Sequence, residues 1–454
     1  MEIRTLKLYA ITDRTWLKEG QTLEAVVEEA IAGGATMIQL REKHLTGDEL
    51  KELALRVQAV CRSYRVPFIV NDDVMLAKEI GADGVHVGAS DMDVAQAREV
   101  MGADKIVGAT AKTVAQAVTA QAAGADYLGS GAIFGTTTKA DAKPMTRELL
   151  IEIIASVDIP VVAIGGIDET NVGKLTDMPI AGVAVVSGIF AKPDIQKAAL
   201  DLRIKLEGRQ VIHSITNHVT VNDVANIILA VGASPIMSHH PQEVAQVQEN
   251  ADALLINMGA MEDFEAMKTA YKTALKAGHP IVIDPVGAGG NSFRRQAIKE
   301  LLEIGSPTCI RGNYAEIRAI LEDQTTMRGL DDYTECAEPD KKAVVQALAK
   351  RLNCIIAATG ETDIVCDGES AEIYEITSGH PMQKLITGSG CMLSGVIASA
   401  LALAIAPSSA LVASVCDRYG RCAEAAAVIS AGRGTMTFKN NFIDEVSRNY
   451  LTFS

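Results

Sequence analysis

At 454 residues the chain exceeds any single small module, and at roughly 150 residues per domain, or 200–250 for a βα barrel, two or three domains are expected. Hydrophobic residues make up 48% against 22% charged, a balance that excludes disorder and collagen and allows large buried cores. The formal charge of −15 repels nucleic acid and anionic membranes, so any bound phosphate needs a local basic or backbone-amide site. None of the eight cysteines forms a C-x-x-C pair, and they read as reduced and mostly buried. Residues 1–10 carry Glu2, Arg4 and Lys7 with no apolar run behind them, which predicts no secretory signal and a cytoplasmic protein. The most apolar run, 391–406, is short, rich in small residues and stopped by Pro407, so it reads as a buried helix and no membrane span is expected.

From residue 8 to 189, short β-branched runs alternate with polar loops and amphipathic stretches. Eight runs are predicted as strands: 8–12, 36–41, 67–71, 84–87, 105–109, 127–131, 160–165 and 182–187. Helices are expected between them, for example over 23–32, 47–62, 114–123 and 147–155. Eight βα units in about 200 residues predict a TIM (β/α)8 barrel, whose chemistry gathers on the loops after the strand C-terminal ends. The polar residues fall there. Alternation puts Gln39, Arg41 and Lys43 on one face, two cations and an amide suited to a multiply charged phosphate, or else a solvated strand end. Asn71-Asp72-Asp73 follows the third strand, and His86-Val87-Gly88 with Asp91 and Asp93 follows the fourth; carboxylates on adjacent loops suit Mg²⁺. Taken alone, Asp91 reads rather as the N-cap of a helix over 92–100. Gly165-Gly166 and Val186-Ser187-Gly188 end the last two strands, where such barrels commonly hold a phosphate on backbone amides.

The strings QLREK at 39–43, VNDD at 70–73, GVHVG at 84–88 with Asp91, GTTTK at 135–139, AIGGI at 163–167 and VSGI at 186–189 resemble those of thiamine-phosphate synthase. The resemblance implies condensation of 4-amino-5-hydroxymethyl-2-methylpyrimidine diphosphate with hydroxyethylthiazole phosphate, releasing pyrophosphate. It assigns Gln39, Arg41, Lys43, Asn71, Thr110 and Lys139 to the pyrimidine diphosphate, with Arg41 and Lys139 also stabilising the departing pyrophosphate. Asp72 and Asp91 are assigned to Mg²⁺, and Thr136, Thr138, Gly166, Val186 and Ser187 to the thiazole phosphate. Thr110 stands where many members have serine, which keeps the hydroxyl.

Residues 207–210 form a short polar join, so the expected domains are 1–206 and 211–454. Beyond it, apolar runs at 211–216, 254–258, 281–284, 309–311 and 353–357 alternate with helices such as 219–231 and 341–352. Runs at 364–366 and 372–376 read as a hairpin around Asp367-Gly368. A doubly wound α/β sheet with an appended hairpin is predicted. The sharpest feature is Thr387-Gly388-Ser389-Gly390-Cys391 before a long apolar helix, where backbone amides can meet an anion and a first-turn thiolate is favoured, unless the cysteine simply packs a glycine turn. His239 and His240 lack a ligand spacing and read as a solvated loop.

GSGC at 388–391, DPVGAG at 284–289, RGNYAE at 311–316, TGE at 359–361, TNHVT at 216–220 and GASPIM at 232–237 resemble hydroxyethylthiazole kinase, a ribokinase-like family. The resemblance implies that Asn217, Met237 and Gly388 contact the thiazole alcohol, that Arg311 and Thr359 contact ATP, and that Asp284 and Glu316 lie around Mg²⁺. Cys391 takes the place of the base aspartate of related sugar kinases, to receive or orient the hydroxyl proton. GSGC departs from the common GTGC, and Asn291 from the usual threonine, with no role assigned there. The kinase product is the synthase substrate, so the expectation is one bifunctional enzyme of thiamine biosynthesis acting on small molecules. The resemblance also implies a homo-oligomer, a trimer or dimer of trimers built through the kinase.

Overall fold

The computed structural model describes residues 2–135, 144–323, 338–370 and 372–450. The chain divides into two compact units, Met1–Gly208 and Arg209–Ser454.

The first unit is a closed parallel barrel in sequence order: β1 Leu8–Ile11, β2 Met37–Leu40, β3 Phe68–Asn71, β4 Gly84–Val87, β5 Ile106–Thr110, β6 Tyr127–Gly131, β7 Val161–Ile164 and β8 Gly182–Val185. β1 closes on β8 through Leu8 and Val183. All eight expected runs are strands: 84–87 and 127–131 keep their expected bounds, and the other six are trimmed or shifted by a residue or two at their ends. Their β-branched and apolar residues suit a surface buried on both faces. Threonine and aspartate side chains start the intervening helices: Thr22, Thr113 and Thr146 accept from the N–H three residues on, as Asp73 and Asp194 do. Tyr9, Ile11, Met37, Ile69, Tyr127, Val162 and Ala184 pack together as the barrel core. Because strand side chains alternate, this sets the inward parity, and Gln39, Asn71, His86, Thr110 and Val186 share it. The candidate residues therefore continue the barrel's interior layers at the strand C-terminal end.

The second unit holds an eight-stranded sheet in the order β10-β9-β11-β12-β13-β14-β15-β16. The strands are β9 Val211–Ile215, β10 Ser234–Ile236, β11 Ala253–Asn257, β12 Ile281–Asp284, β13 Cys309–Asn313, β14 Ile355–Thr359, β15 Asp363–Cys366 and β16 Ile373–Ile376. Pairing is parallel from β10 to β14 and antiparallel from β14 to β16, the predicted doubly wound sheet with its hairpin. Leu254, Ile256, Ile281, Ile283 and Ile310 pack with Met267, Tyr271, Leu301 and Leu348 on one face. On β11 and β12 lies the helix Ser389–Leu403, buried along most of its length. No helix among the described residues is long and apolar enough to cross a membrane. β10 was absent from the strands read in the sequence, since three residues centred on Pro235 give no periodicity; it occupies the sheet edge, where proline is tolerated.

Candidate active sites

At the barrel's C-terminal end, Asp13, Arg14, Trp16, Arg41, Glu42 and Lys43 line a cleft of about 340 Å³. Arg41 is buried, with one guanidinium nitrogen 3.6 Å from Asp13 Oδ2 and another without a hydrogen-bond partner among the described residues. Glu42 Oε1 accepts the N–H groups of Lys43 and His44, both at 2.8 Å, and fixes the turn that follows β2. Gln39, buried beneath, donates from Nε2 to Tyr9 Oη at 2.6 Å.

Asp72 adopts φ +65°, a left-handed conformation that costs an aspartate little, and its N–H donates to the His86 carbonyl at 2.8 Å. The N–H of Gly88 donates to Asp91 Oδ2 at 2.8 Å. Both carboxylate-bearing loops are thus tied to the segment 86–88. The helix cap expected of Asp91 belongs instead to Asp93, whose side chain accepts from Ala95 N, and the helix starts at Val94. Asp91 serves the loop and Asp93 the helix.

Gly166 has φ +66°, and an added Cβ would overlap the carbonyl oxygens of Phe134 and Gly135. Only glycine lets the loops after β6 and β7 approach this closely. Val186 and Ser187 enter the short helix Ser187–Phe190 directly after β8. Thr136, Thr138 and Lys139 lie outside the described residues.

In the second unit, side chains from separate strands converge on Asp284 at the end of β12. Its Oδ2 accepts from Ser394 Oγ at 3.0 Å and Asn257 Nδ2 at 3.3 Å, and lies 3.7 Å from the Arg311 guanidinium. Its Oδ1 is buried without a hydrogen-bond partner among the described residues. Arg311 also donates to Thr359 Oγ1 at 2.6 Å, and its guanidinium occupies the space a Cβ at Gly390 would need. Glu316 sits in the first turn of the helix Tyr314–Glu322, in a capping box with Asn313; its two oxygens accept from Gly287 N at 2.8 Å and Asn313 N at 2.9 Å. Burial, and then the charge of Asp284, push Glu316 up to about 7 against the opposing backbone hydrogen bonds. Burial raises Asp284 as well, opposed by Arg311.

Cys391 lies in the first turn of Ser389–Leu403, which starts from Gly388 at φ +82°. Its Sγ accepts from Asn257 Nδ2 at 3.1 Å. The thiolate expected from the helix N-terminus is not favoured: burial, then the Asp284 charge, push the thiol up to about 12. Desolvation outweighs the helix's partial charge here. Asn217 donates to Asn257 Oδ1 at 3.2 Å and accepts the N–H groups of Val219 and Thr220, so it joins the cluster. Gly388 faces Thr220, whose Cγ2 would be 2.7 Å from an added Cβ. Met237 is half-buried after β10, beside Ser238, whose carbonyl accepts from His213 at 2.9 Å; among the described residues no hydrogen bond joins Met237 to the Asn257 cluster.

Asn257 and Ser394 escaped the sequence reading. The signal for Asn257 was present, a polar residue ending the otherwise apolar run ALLIN, whereas Ser394 is one small residue in an apolar helix and carries none. The described cysteines are all free and buried, and Cys336 lies outside the described residues. His239 pairs with Asp263 at 3.0 Å, and no His/Cys/Asp/Glu group of metal-binding size occurs among the described residues.

Residues 204–450 match the Hydroxyethylthiazole kinase family, and residues 8–189 match Thiamine monophosphate synthase. The chain is 31% identical over 434 residues to the "Probable thiamine biosynthetic bifunctional enzyme" of Schizosaccharomyces pombe, covering 86% of this chain and 83% of the relative. It is 31% identical over 462 residues to the "Thiamine biosynthetic bifunctional enzyme" of Saccharomyces cerevisiae, covering 86% of each. The "Thiamine-phosphate synthase" of Clostridium tetani is 47% identical over 195 residues, 43% of this chain and 93% of that one. The chain therefore belongs to the family of bifunctional thiamine biosynthetic enzymes, with thiamine-phosphate synthase in its N-terminal half and an ATP-using hydroxyethylthiazole kinase in its C-terminal half.

Proposed function

We propose that the two units, divided near residues 206–211, run consecutive reactions: the second phosphorylates 4-methyl-5-(2-hydroxyethyl)thiazole, and the barrel joins that product to the pyrimidine diphosphate. The observation that carries the kinase reading is the convergence of Asp284, Arg311, Thr359, Asn257 and Cys391, from four strands and one helix, into a single hydrogen-bonded cluster. Arg311, braced by Thr359 and seated on Gly390, offers a largely buried cation to the ATP phosphates. Asn217, Met237 and Gly388 hold the thiazole alcohol. Cys391 remains a thiol, so it orients the substrate hydroxyl and does not act as a strong base.

The donor set fits Mg²⁺. Asp284 Oδ1 is a buried carboxylate oxygen without a partner, and the repulsion between Asp284 and Glu316 would be relieved by a divalent cation. Two carboxylates with phosphate oxygens and water are its usual ligands. When bound, it neutralises the charge developing on the phosphates. In the barrel, Asp72 and Asp91 supply the equivalent pair. Gln39, Arg41, Lys43, Asn71, Thr110 and Lys139 hold the pyrimidine diphosphate; Arg41 and Lys139 stabilise the pyrophosphate as it departs. Thr136, Thr138, Gly166, Val186 and Ser187 hold the thiazole phosphate.

We place the protein in the cytoplasm as a trimer or dimer of trimers. The exposed Val219 and Ile236, beside Asn217 and Met237, support a kinase site completed at a subunit contact.

A one-pot assay with purified protein, Mg²⁺, ATP, hydroxyethylthiazole and the pyrimidine diphosphate tests the reading. ADP, pyrophosphate and thiamine phosphate should all form. Absence of thiamine phosphate even with thiazole phosphate supplied would overturn the synthase half, and absence of ADP the kinase half.

A further inference from the structure

We propose that a buried chain of hydrogen bonds, Gln39–Tyr9–Tyr127–His86–Thr110, is a positioning device that couples selection of the pyrimidine's amino group to hydrogen-bond donation onto the diphosphate. The inference rests on the synthase reading of Gln39 and Thr110 and adds Tyr9, Tyr127 and His86 to it.

The links cross the barrel interior between five strands. Gln39 Nε2 donates to Tyr9 Oη at 2.6 Å, Tyr9 Oη lies 2.8 Å from Tyr127 Oη, Tyr127 Oη 3.0 Å from His86 Nδ1, and His86 Nε2 3.0 Å from Thr110 Oγ1. Both phenols are fully buried, which pushes them well above their ordinary range and keeps them as O–H groups. The rings have been given room. A Cβ at Gly108 on β5 would overlap the Tyr127 ring, and one at Gly129 on β6 would lie 3.3 Å from His86 Cε1. As a plain core pair, Tyr9 and Tyr127 would fill the same space as two phenylalanines. Only the hydroxyls continue the chain.

Donor counting fixes its direction. An amide nitrogen only donates, so the Tyr9 oxygen accepts and its hydrogen passes to Tyr127. Tyr127 in turn donates to Nδ1 of His86, which leaves the hydrogen of the neutral imidazole on Nε2, donating to Thr110. The Thr110 hydrogen is then left for an outside acceptor, and Gln39 is left with Oε1, an acceptor, beside the second hydrogen of Nε2. Reversing the chain exchanges both ends: Gln39 would offer N–H, and Thr110 would offer lone pairs to the diphosphate oxygens. An anion at Thr110 therefore holds Gln39 in its accepting orientation. That orientation offers Oε1 to the substrate's exocyclic amine, an acceptor that an oxo group in its place could not use.

The test uses the full-length protein with the aminopyrimidine diphosphate and its 4-oxo analogue, in wild type, Tyr9→Phe and Tyr127→Phe. The wild-type preference in kcat/KM for the amine should be on the order of 10³-fold or more. Each substitution should lower it at least tenfold while KM for thiazole phosphate is unchanged. Normal turnover with a preference within twofold of wild type in both variants overturns the coupling alone. No thiamine phosphate from the wild type overturns the synthase reading and the proposal with it. Independently of turnover, ¹⁵N spectra of the histidines, with His86 assigned through His86→Asn, should show a neutral ring protonated on Nε2. An Nδ1-protonated or charged His86 overturns the proposal even where the phenylalanine variants do not fold.

Discussion

In the barrel, the hydrogen-bonded side chains beneath the cleft, Gln39, Tyr9 and Tyr127, are neutral, and the charged groups lie at the cleft itself: Arg41 faces Asp13, the buried Glu42 carboxylate faces Arg14, and Lys43 is exposed. In the second unit the carboxylates Asp284 and Glu316 are themselves buried and Arg311 nearly so, with one Asp284 oxygen left unpartnered among the described residues. A neutral network loses little by being out of water once its hydrogen bonds are made. Buried carboxylates sharing a site repel, and their protonation becomes part of the domain's energetics. The synthase site is thus set by hydrogen-bond direction, the kinase site by charge.

The sharpest way to break this comparison is to remove one carboxylate from each unit. Asp284→Ala should lower ADP formation about 10³-fold, the scale of losing a preorganised electrostatic contact, while coupling from supplied thiazole phosphate continues. Asp72→Ala should do the reverse. Loss of both activities from either folded variant, measured by separate ADP and pyrophosphate assays, would show that the sites are not independent. Next in size, Arg311→Met leaves Asp284 buried without its cation, and should cost about 3 kcal/mol in urea unfolding of the kinase unit together with most kinase activity.

The third effect is a pH slope. Glu316 is raised from 4.5 to about 7, so between those values the folded state holds a proton that the unfolded state has released. Stability from this group is fully present below pH 4.5 and is lost as pH rises towards 7. Melting midpoints in Mg²⁺-free buffer should fall across that window, and Glu316→Gln should flatten the fall. Mg²⁺ with nucleotide should stabilise more at pH 8 than at pH 5. The smallest effect is expected of Thr110→Ser, which keeps the hydroxyl at the end of the chain; synthase kcat/KM should stay within about twofold.

Most of the barrel was legible because parallel strands read as short apolar runs and inward parity follows from alternation. The same logic concealed Tyr9 and Tyr127, and left His86 named in its string without a role. Within an apolar run a tyrosine or histidine counts as core, and no pattern in one strand reveals a partner on another. Asp91 and Asp93 lie two residues apart, and either residue type caps a helix, so only the backbone separates their duties. For Cys391, sequence reveals a helix start but not the depth of burial, and burial decides the ionisation. Asp284, Arg311 and Glu316 were readable as motif residues, whereas Asn257, which links Asp284 to Cys391, belonged to no quoted string.

The helix Ser389–Leu403 carries Cys391 and Ser394 at its start and is packed among hydrophobic side chains along most of the rest. Amide hydrogens in its middle should exchange with solvent only through opening of the whole kinase unit, since local unfolding would expose the core. One wall of the kinase site is therefore as rigid as the domain itself. Any adjustment to substrates of different size falls to the parts of the site outside this helix.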